Sequence, residues 1–153
     1  MLFTPNILGL LSNGNIVMAV KTIGWKNGRI IMLDQRLLPH KEVYRICRNY
    51  QEVALAIRQM VIRGAPAIGV AAAMGVALGA TQTQEKNFDR EFERILLTLS
   101  KTRPTAINLF WALERMRKIY TDNRSRGVES VKRLLKEEAQ KIYKDDIAAN
   151  KQL

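Results

Sequence analysis

The chain has 153 residues, 47% apolar and 25% charged, which suits one domain with a real core and excludes disorder over its whole length. One cysteine and one histidine exclude an intrachain disulfide framework and a clustered Cys/His zinc site, and make a reducing, cytoplasmic location the default. The formal net charge of +11 raises nucleic acid as a ligand. The basic residues are nonetheless scattered among acids and do not interleave with aromatics, so solvated helix faces with some affinity for anions is the better reading.

Residues 1–17 carry no charge, yet they lack the basic start and small-residue cleavage site of a signal peptide. Met18 opens a stretch that reads as a natural start, so residues 1–17 are expected to be an extension that the fold does not need. Residues 20–25 and 29–33 are apolar runs flanking Lys26-Asn27-Gly28, and Asn-Gly supplies the positive φ angles of a tight turn, which predicts a β-hairpin. A loop over residues 34–39 and a third strand over residues 42–46 complete a small β subdomain spanning residues 18–48.

From residue 49 onward the pattern is helical. Asn49 followed by Glu52 resembles a capping box, with Val53, Ile57, Met60 and Val61 on one face of the helix it opens. Pro66 stands where a first helical residue would, and the helix it starts is expected to run to about Ala80. Residues 65–84 are uncharged and include Gly75-x-x-x-Gly79, a spacing also found in membrane helix pairs. Their Ala/Gly richness and modest hydrophobicity favour a helix buried on all sides of a soluble core over a membrane span. Asn87 is the expected cap of a helix striped by Phe88, Phe92, Ile95, Leu96 and Leu99. Arg103-Pro104-Thr105 is expected to open the next, carrying Leu109, Phe110, Leu113, Met116 and Tyr120. After a turn over residues 125–127, a last helix aligns Val131, Leu135, Ala139, Ile142 and Asp146 and shows no C-cap glycine in residues 147–153, a hint of truncation. The expected fold is therefore α+β: a hairpin or three-strand element, then a bundle of about five helices over residues 49–153.

The chemically informative feature is a repeated arrangement. Arg63-Gly64-Ala65-Pro66 and Arg103-Pro104-Thr105 each place an arginine immediately ahead of an expected helix start. A helix N-terminus presents unpaired N–H groups and about half a positive charge, which favours anions. Gly64 allows close backbone approach to a ligand, and a guanidinium is a planar two-pronged donor for phosphate oxygens. Spacing alone is equally compatible with two ordinary surface arginines, and it does not show that the two loops meet. Neither Gly-x-x-x-x-Gly-Lys nor Gly-x-Gly-x-x-Gly occurs.

At these residues a resemblance becomes specific. Met60-Val61-Ile62-Arg63-Gly64-Ala65-Pro66-Ala67-Ile68-Gly69 is similar to the signature segment of methylthioribose-1-phosphate isomerases, as is Arg103-Pro104-Thr105-Ala106-Ile107-Asn108-Leu109-Phe110-Trp111. Leu33-Asp34-Gln35-Arg36-Leu37-Leu38-Pro39 resembles that family's loop after the first hairpin. The wider group includes regulatory subunits of eukaryotic initiation factor 2B and archaeal ribose-1,5-bisphosphate isomerases.

The resemblance implies isomerisation of 5-methylthioribose 1-phosphate to its ketose in methionine salvage, with no metal and no organic cofactor. It implies that Arg63, Gly64, Ala65 and Arg103 bind substrate. It also implies that the acting cysteine and aspartate lie in a carboxyl-terminal Rossmann-like domain to which nothing here corresponds. No catalytic residue is therefore assigned in this chain. Cys47 is expected to be a packed thiol, and neither Asp34 nor Glu42 is marked as a base above ordinary loop charge.

The implied partners are the sugar phosphate and the missing domain or a polypeptide carrying it, with a homodimer left open and no membrane. Two other classes stay open: a non-catalytic regulatory module of the initiation-factor type, and a basic helical nucleic-acid binder.

Overall fold

The computed structural model describes residues 2–3 and 22–151, with side chains placed over residues 22–147. The hairpin forms as its turn predicts. Strands β2 (Ile23–Lys26) and β3 (Arg29–Leu33) pair antiparallel from Lys26↔Arg29 to Ile23↔Met32. Between them Asn27 and Gly28 both have positive φ, 53° and 72°, the geometry whose twist matches the flanking strands. Strand β4 (Tyr44–Cys47), two residues later than expected at its start, pairs with β3 so that Cys47 faces Ile30. A two-residue strand β1 (Leu2–Phe3) adds to the outer edge of β4, giving the order β1-β4-β3-β2. The expected three-strand element thus gains a short fourth edge from within the segment read as dispensable. The remainder of that extension, the expected start at Met18 and strand residues 20–21 lie outside the described residues.

Five α-helices follow: α1 (Tyr50–Arg58), α2 (Ala65–Gln82), α3 (Phe88–Ser100), α4 (Ile107–Asn123) and α5 (Val128–Lys151). Helix α1 starts as its sequence predicts. Asn49 accepts from the Glu52 N–H at 2.8 Å, and the Glu52 carboxylate reaches back to the Arg48 N–H at 2.9 Å, one residue earlier than the reciprocal bond of a standard capping box. It ends before Met60, which was expected on its apolar face and is instead exposed at φ 64°. The Met60 and Val61 N–H groups donate to Ile57 and Ala56 carbonyls, a Schellman closure with methionine where glycine is usual. That conformation disfavours a side-chain-bearing residue by about 1 kcal/mol.

Helix α2 is the centre of the molecule. It packs against each of the other four helices, and every residue from Ile68 to Ala80 is buried. Its mean hydropathy of 1.3 and 18-residue length would suit a membrane span, but 72% of it is inside the structure, in accord with a core helix. Small residues are required there. A Cβ on Gly79 would lie 2.7 Å from Ile95 Cδ1 and 3.0 Å from Tyr50, and one on Gly75 would lie 3.0 Å from Val53. The membrane-like glycine spacing is therefore explained by close approach of α1 and α3.

The amphipathic stripes of α3, α4 and α5 cover the other sides of α2. Phe88, Phe92, Ile95, Leu96 and Leu99 are buried as expected, as are Leu109, Leu113, Met116 and Tyr120, and Val131, Leu135, Ala139 and Ile142. Phe92 stacks on Tyr120 with ring centroids 4.3 Å apart, and the Tyr120 hydroxyl donates to Asp89. Three local expectations are corrected. Asn87 makes no side-chain cap and instead accepts from Arg90 at 3.2 Å. Phe110 is 39% exposed rather than in the core. Arg103-Pro104-Thr105 does not open α4, because the Ala106 N–H closes a turn onto the Arg103 carbonyl at 3.0 Å and the helix begins only at Ile107.

Candidate functional site

Arg63, Gly64 and Ala65 lie together on an exposed loop that runs directly into α2. Buried Val61 and Ile62 pin the loop from behind, and Gly64 takes φ 94°, which a residue with a side chain rarely adopts. Gly64 is the N-cap and has no side chain to offer, Ala65 is the first helical residue and Pro66 the second. The first intrahelical bond runs from the Ile68 N–H to the Gly64 carbonyl. The Ala65 and Ala67 N–H groups precede it with no side-chain cap, so this helix start keeps donors and its partial positive charge available to an anion.

Arg103 sits differently from its sequence expectation, in a turn before α4 and not at the helix start itself. Buried Thr102 anchors the turn by donating from its hydroxyl to the Leu99 carbonyl at 2.7 Å. Arg103 is half-buried, and its Nη1 is buried with no hydrogen-bond partner. A charged donor in that condition costs free energy unless something pairs with it, which is unusual for a purely structural arginine. Helix α4 then starts at Ile107, with Ala106 as its N-cap and again no side-chain cap.

The two helix starts meet. A Cβ on Gly69, one turn into α2, would lie 3.2 Å from the carbonyl oxygen of Asn108, in the first turn of α4. A cavity of about 350 Å³ opens beside this contact, lined among others by Pro66, Gly69, Asn108, Trp111 and Asp146. Trp111 is 52% exposed, with the Arg115 guanidinium 5.2 Å from its ring centroid and Arg115 itself paired with Glu138. Burial pushes the Asp146 carboxyl above its ordinary range. Asn108, Trp111 and Asp146 were not singled out as site residues from sequence. Trp111 carried the one available signal, an aromatic on the polar side of its helix stripe, four residues from the 81% exposed Ile107.

The remaining sequence candidates fall elsewhere. Cys47 is fully buried in the sheet, where burial first and the nearby Glu52 second push its thiol up to about 12, as for a packed thiol. Asp34 is also fully buried, and the Arg36 guanidinium holds its carboxyl below the ordinary range. A carboxylate so committed is a poorer base than a free one. Among the described residues no group of three or more His, Cys, Asp or Glu side chains is placed to hold a metal ion.

The model of the Initiation factor 2 subunit family matches residues 61–153, beginning at the loop that carries Arg63. Among curated proteins, the methylthioribose-1-phosphate isomerase of Citrifermentans bemidjiense is 47% identical over 139 residues, covering 89% of this chain and 40% of that protein. That of Geobacter metallireducens is 48% identical over 134 residues, covering 86% and 39%. Among solved structures, a 5-methylthioribose 1-phosphate isomerase from Pyrococcus horikoshii superposes with a TM-score of 0.79 at 38% identity, over 94% of this chain and 39% of that one. A translation initiation factor eIF-2B subunit delta from A. fulgidus gives 0.76 at 35% identity, over 83% and 37%. The chain thus spans about 40% of the length of the curated relatives it matches. The chain belongs to the Initiation factor 2 subunit family, and methylthioribose-1-phosphate isomerases are among the relatives it is similar to.

Proposed function

We propose that this chain is the substrate-phosphate-holding portion of an S-methyl-5-thioribose-1-phosphate isomerase, with Arg63, Gly64, Ala65 and Arg103 gripping the phosphate, and that it is inactive alone. The observation that carries the reading is the contact of two uncapped helix starts at Gly69 and Asn108, with a buried, unpaired guanidinium nitrogen of Arg103 close in sequence. Oriented N–H groups and guanidinium forks suit a phosphate monoester better than a neutral ligand.

The chemistry explains why such a grip is useful. A phosphoester at C1 locks the sugar ring, so isomerisation needs ring opening and then transfer of hydrogen from C2 to C1, as a proton through an enediolate or as a hydride. Binding energy from the non-reacting phosphate fixes the reacting carbons against acid and base groups. In this chain Cys47 is packed away and Asp34 is paired, so those groups are proposed to reside in the part of the longer relatives that this chain does not span. A second reading, a non-catalytic module that senses a sugar phosphate or nucleotide, is favoured by the likeness to the initiation-factor subunit.

Incubating the chain with 5-methylthioribose 1-phosphate and assaying for ketose tests the first reading. No ketose above the uncatalysed level is expected, while the substrate itself binds. Turnover that disappears on Cys47→Ala would overturn it. Binding of a nucleotide in preference to the pentose phosphate favours the sensing reading.

A further inference from the structure

The loop after β3 is tied by backbone to the segment that leads into the Arg63 loop. The Gln35 N–H donates to the Val61 carbonyl at 2.9 Å, two residues before Arg63. Gln35 opens a short 3-10 turn, Gln35–Leu37, which the Asp34 side chain caps. The Asp34 Oδ1 accepts from the Arg36 N–H at 3.1 Å and from Arg36 Nε at 2.9 Å, and its Oδ2 accepts from Arg36 Nη2 at 2.6 Å. The Asp34 N–H donates to the Val43 carbonyl at 2.8 Å, which anchors the turn to the entry of β4. A second tie runs in parallel. Arg45, 4.0 Å from the same carboxylate, donates to the Gln59 side chain at 3.0 Å, at the residue before the left-handed Met60.

One fully buried carboxylate therefore stands behind both ties to residues 59–61, and the Arg63–Gly64 segment follows within a few residues. Its charge is an odd choice for mere packing, because a buried ion pair adds little net stability over apolar residues of similar volume. It does supply fixed geometry, since a forked arginine–carboxylate pair tolerates little rotation. The same turn lies in Leu33-Asp34-Gln35-Arg36-Leu37-Leu38-Pro39, a motif to which the phosphate grip assigns no role.

We infer that Asp34 is a positioning residue for the Arg63–Gly64 phosphate loop, acting through the Arg36-braced turn, the Gln35–Val61 backbone bond and the Arg45–Gln59 tie. The inference rests on the proposed phosphate grip for its functional consequence, but not for its geometry. Asn in place of Asp34 keeps an acceptor for the Arg36 N–H and puts an amide where the fork needs the second oxygen, so the turn loosens without a change of volume.

The test uses the full chain with Asp34→Asn, Ile95→Val and Arg63→Ala. Two quantities are read: hydrogen exchange of the Gln35 amide, and affinity for ribose 1-phosphate. Asp34→Asn is expected to speed Gln35 exchange and to weaken binding, each by about tenfold, as loss of a group that orients a ligand-holding residue commonly does. Ile95→Val, a core change far from the turn, is expected to lower the melting temperature while leaving both readings near wild type. The inference is overturned if Asp34→Asn tracks Ile95→Val in both readings. Should wild type and Arg63→Ala alike fail to bind ribose 1-phosphate, the phosphate grip falls. Gln35 exchange alone then decides whether Asp34 holds the loop, and unchanged exchange overturns the inference.

Discussion

At the residue scale, Arg103 and Cys47 make opposite arguments from burial. Arg103 Nη1 is buried and unpaired, so it burdens the ligand-free fold. Arg103→Ala is accordingly expected to leave stability within about 0.5 kcal/mol of wild type or raise it. The same change should weaken ribose 1-phosphate binding by about 1.5–3 kcal/mol, the range for a charge-assisted hydrogen bond. Thermal melting alongside calorimetric titration checks both. Cys47 is buried and apolar in behaviour, its thiol pushed from 9.0 up to about 12. With the folded value raised, its contribution to stability is complete below the ordinary thiol range and is lost as pH rises from about 9 toward 12. The stability of wild type should therefore fall across that alkaline window, and Cys47→Ala should flatten part of the fall in a pH series of denaturant melts. Tyr120 also rises to about 12, through burial and its bond to Asp89, and supplies slope that the cysteine variant retains.

At the element scale, what was legible followed local rules. Asn27-Gly28 announced the hairpin, the 3.6-residue stripe of Phe88, Phe92, Ile95 and Leu99 announced α3, and the uncharged Gly/Ala run announced a helix buried on all sides. The failures were places where a distant contact or a competing turn prevailed. Pro104 looked like a helix opener, but the Thr102 and Ala106 bonds make residues 103–106 a turn and delay α4. Met60 fitted the α1 stripe by spacing, yet the Schellman closure turns it out to solvent. The meeting of the two helix starts depends on Gly69 against the Asn108 backbone, a contact between residues 39 apart that no local pattern encodes. That contact makes a prediction. Gly69→Ala would push the Asn108 carbonyl from a 3.2 Å approach and spread the two starts. Ribose 1-phosphate affinity is expected to fall by about tenfold while the fold persists, since a misplacement of under 1 Å is enough to spoil an oriented site. An unchanged affinity with a lowered melting temperature would make Gly69 a packing residue only.

At the scale of the whole molecule, the +11 charge and the 40% coverage of longer relatives pull toward different accounts. Many of the basic residues are committed locally: Arg36 to Asp34, Arg115 to Glu138, Arg117 to Glu93, Lys118 to Asp122. What distinguishes the joined helix starts is arrangement rather than charge density, and the proposed phosphate grip rests on that arrangement suiting a small anion better than a polyanion. The proposed function requires this arrangement to hold a sugar phosphate. The most direct measurement is a titration of the isotope-labelled chain with ribose 1-phosphate, following backbone amide shifts residue by residue at two salt concentrations. The account predicts one saturable site, with the largest shifts at the Ala65, Ala67, Ile107 and Asn108 amides, lost together on Arg63→Ala and Arg103→Ala. Shifts spread over many surface lysines and arginines and abolished by salt, with none at the helix starts, would contradict it.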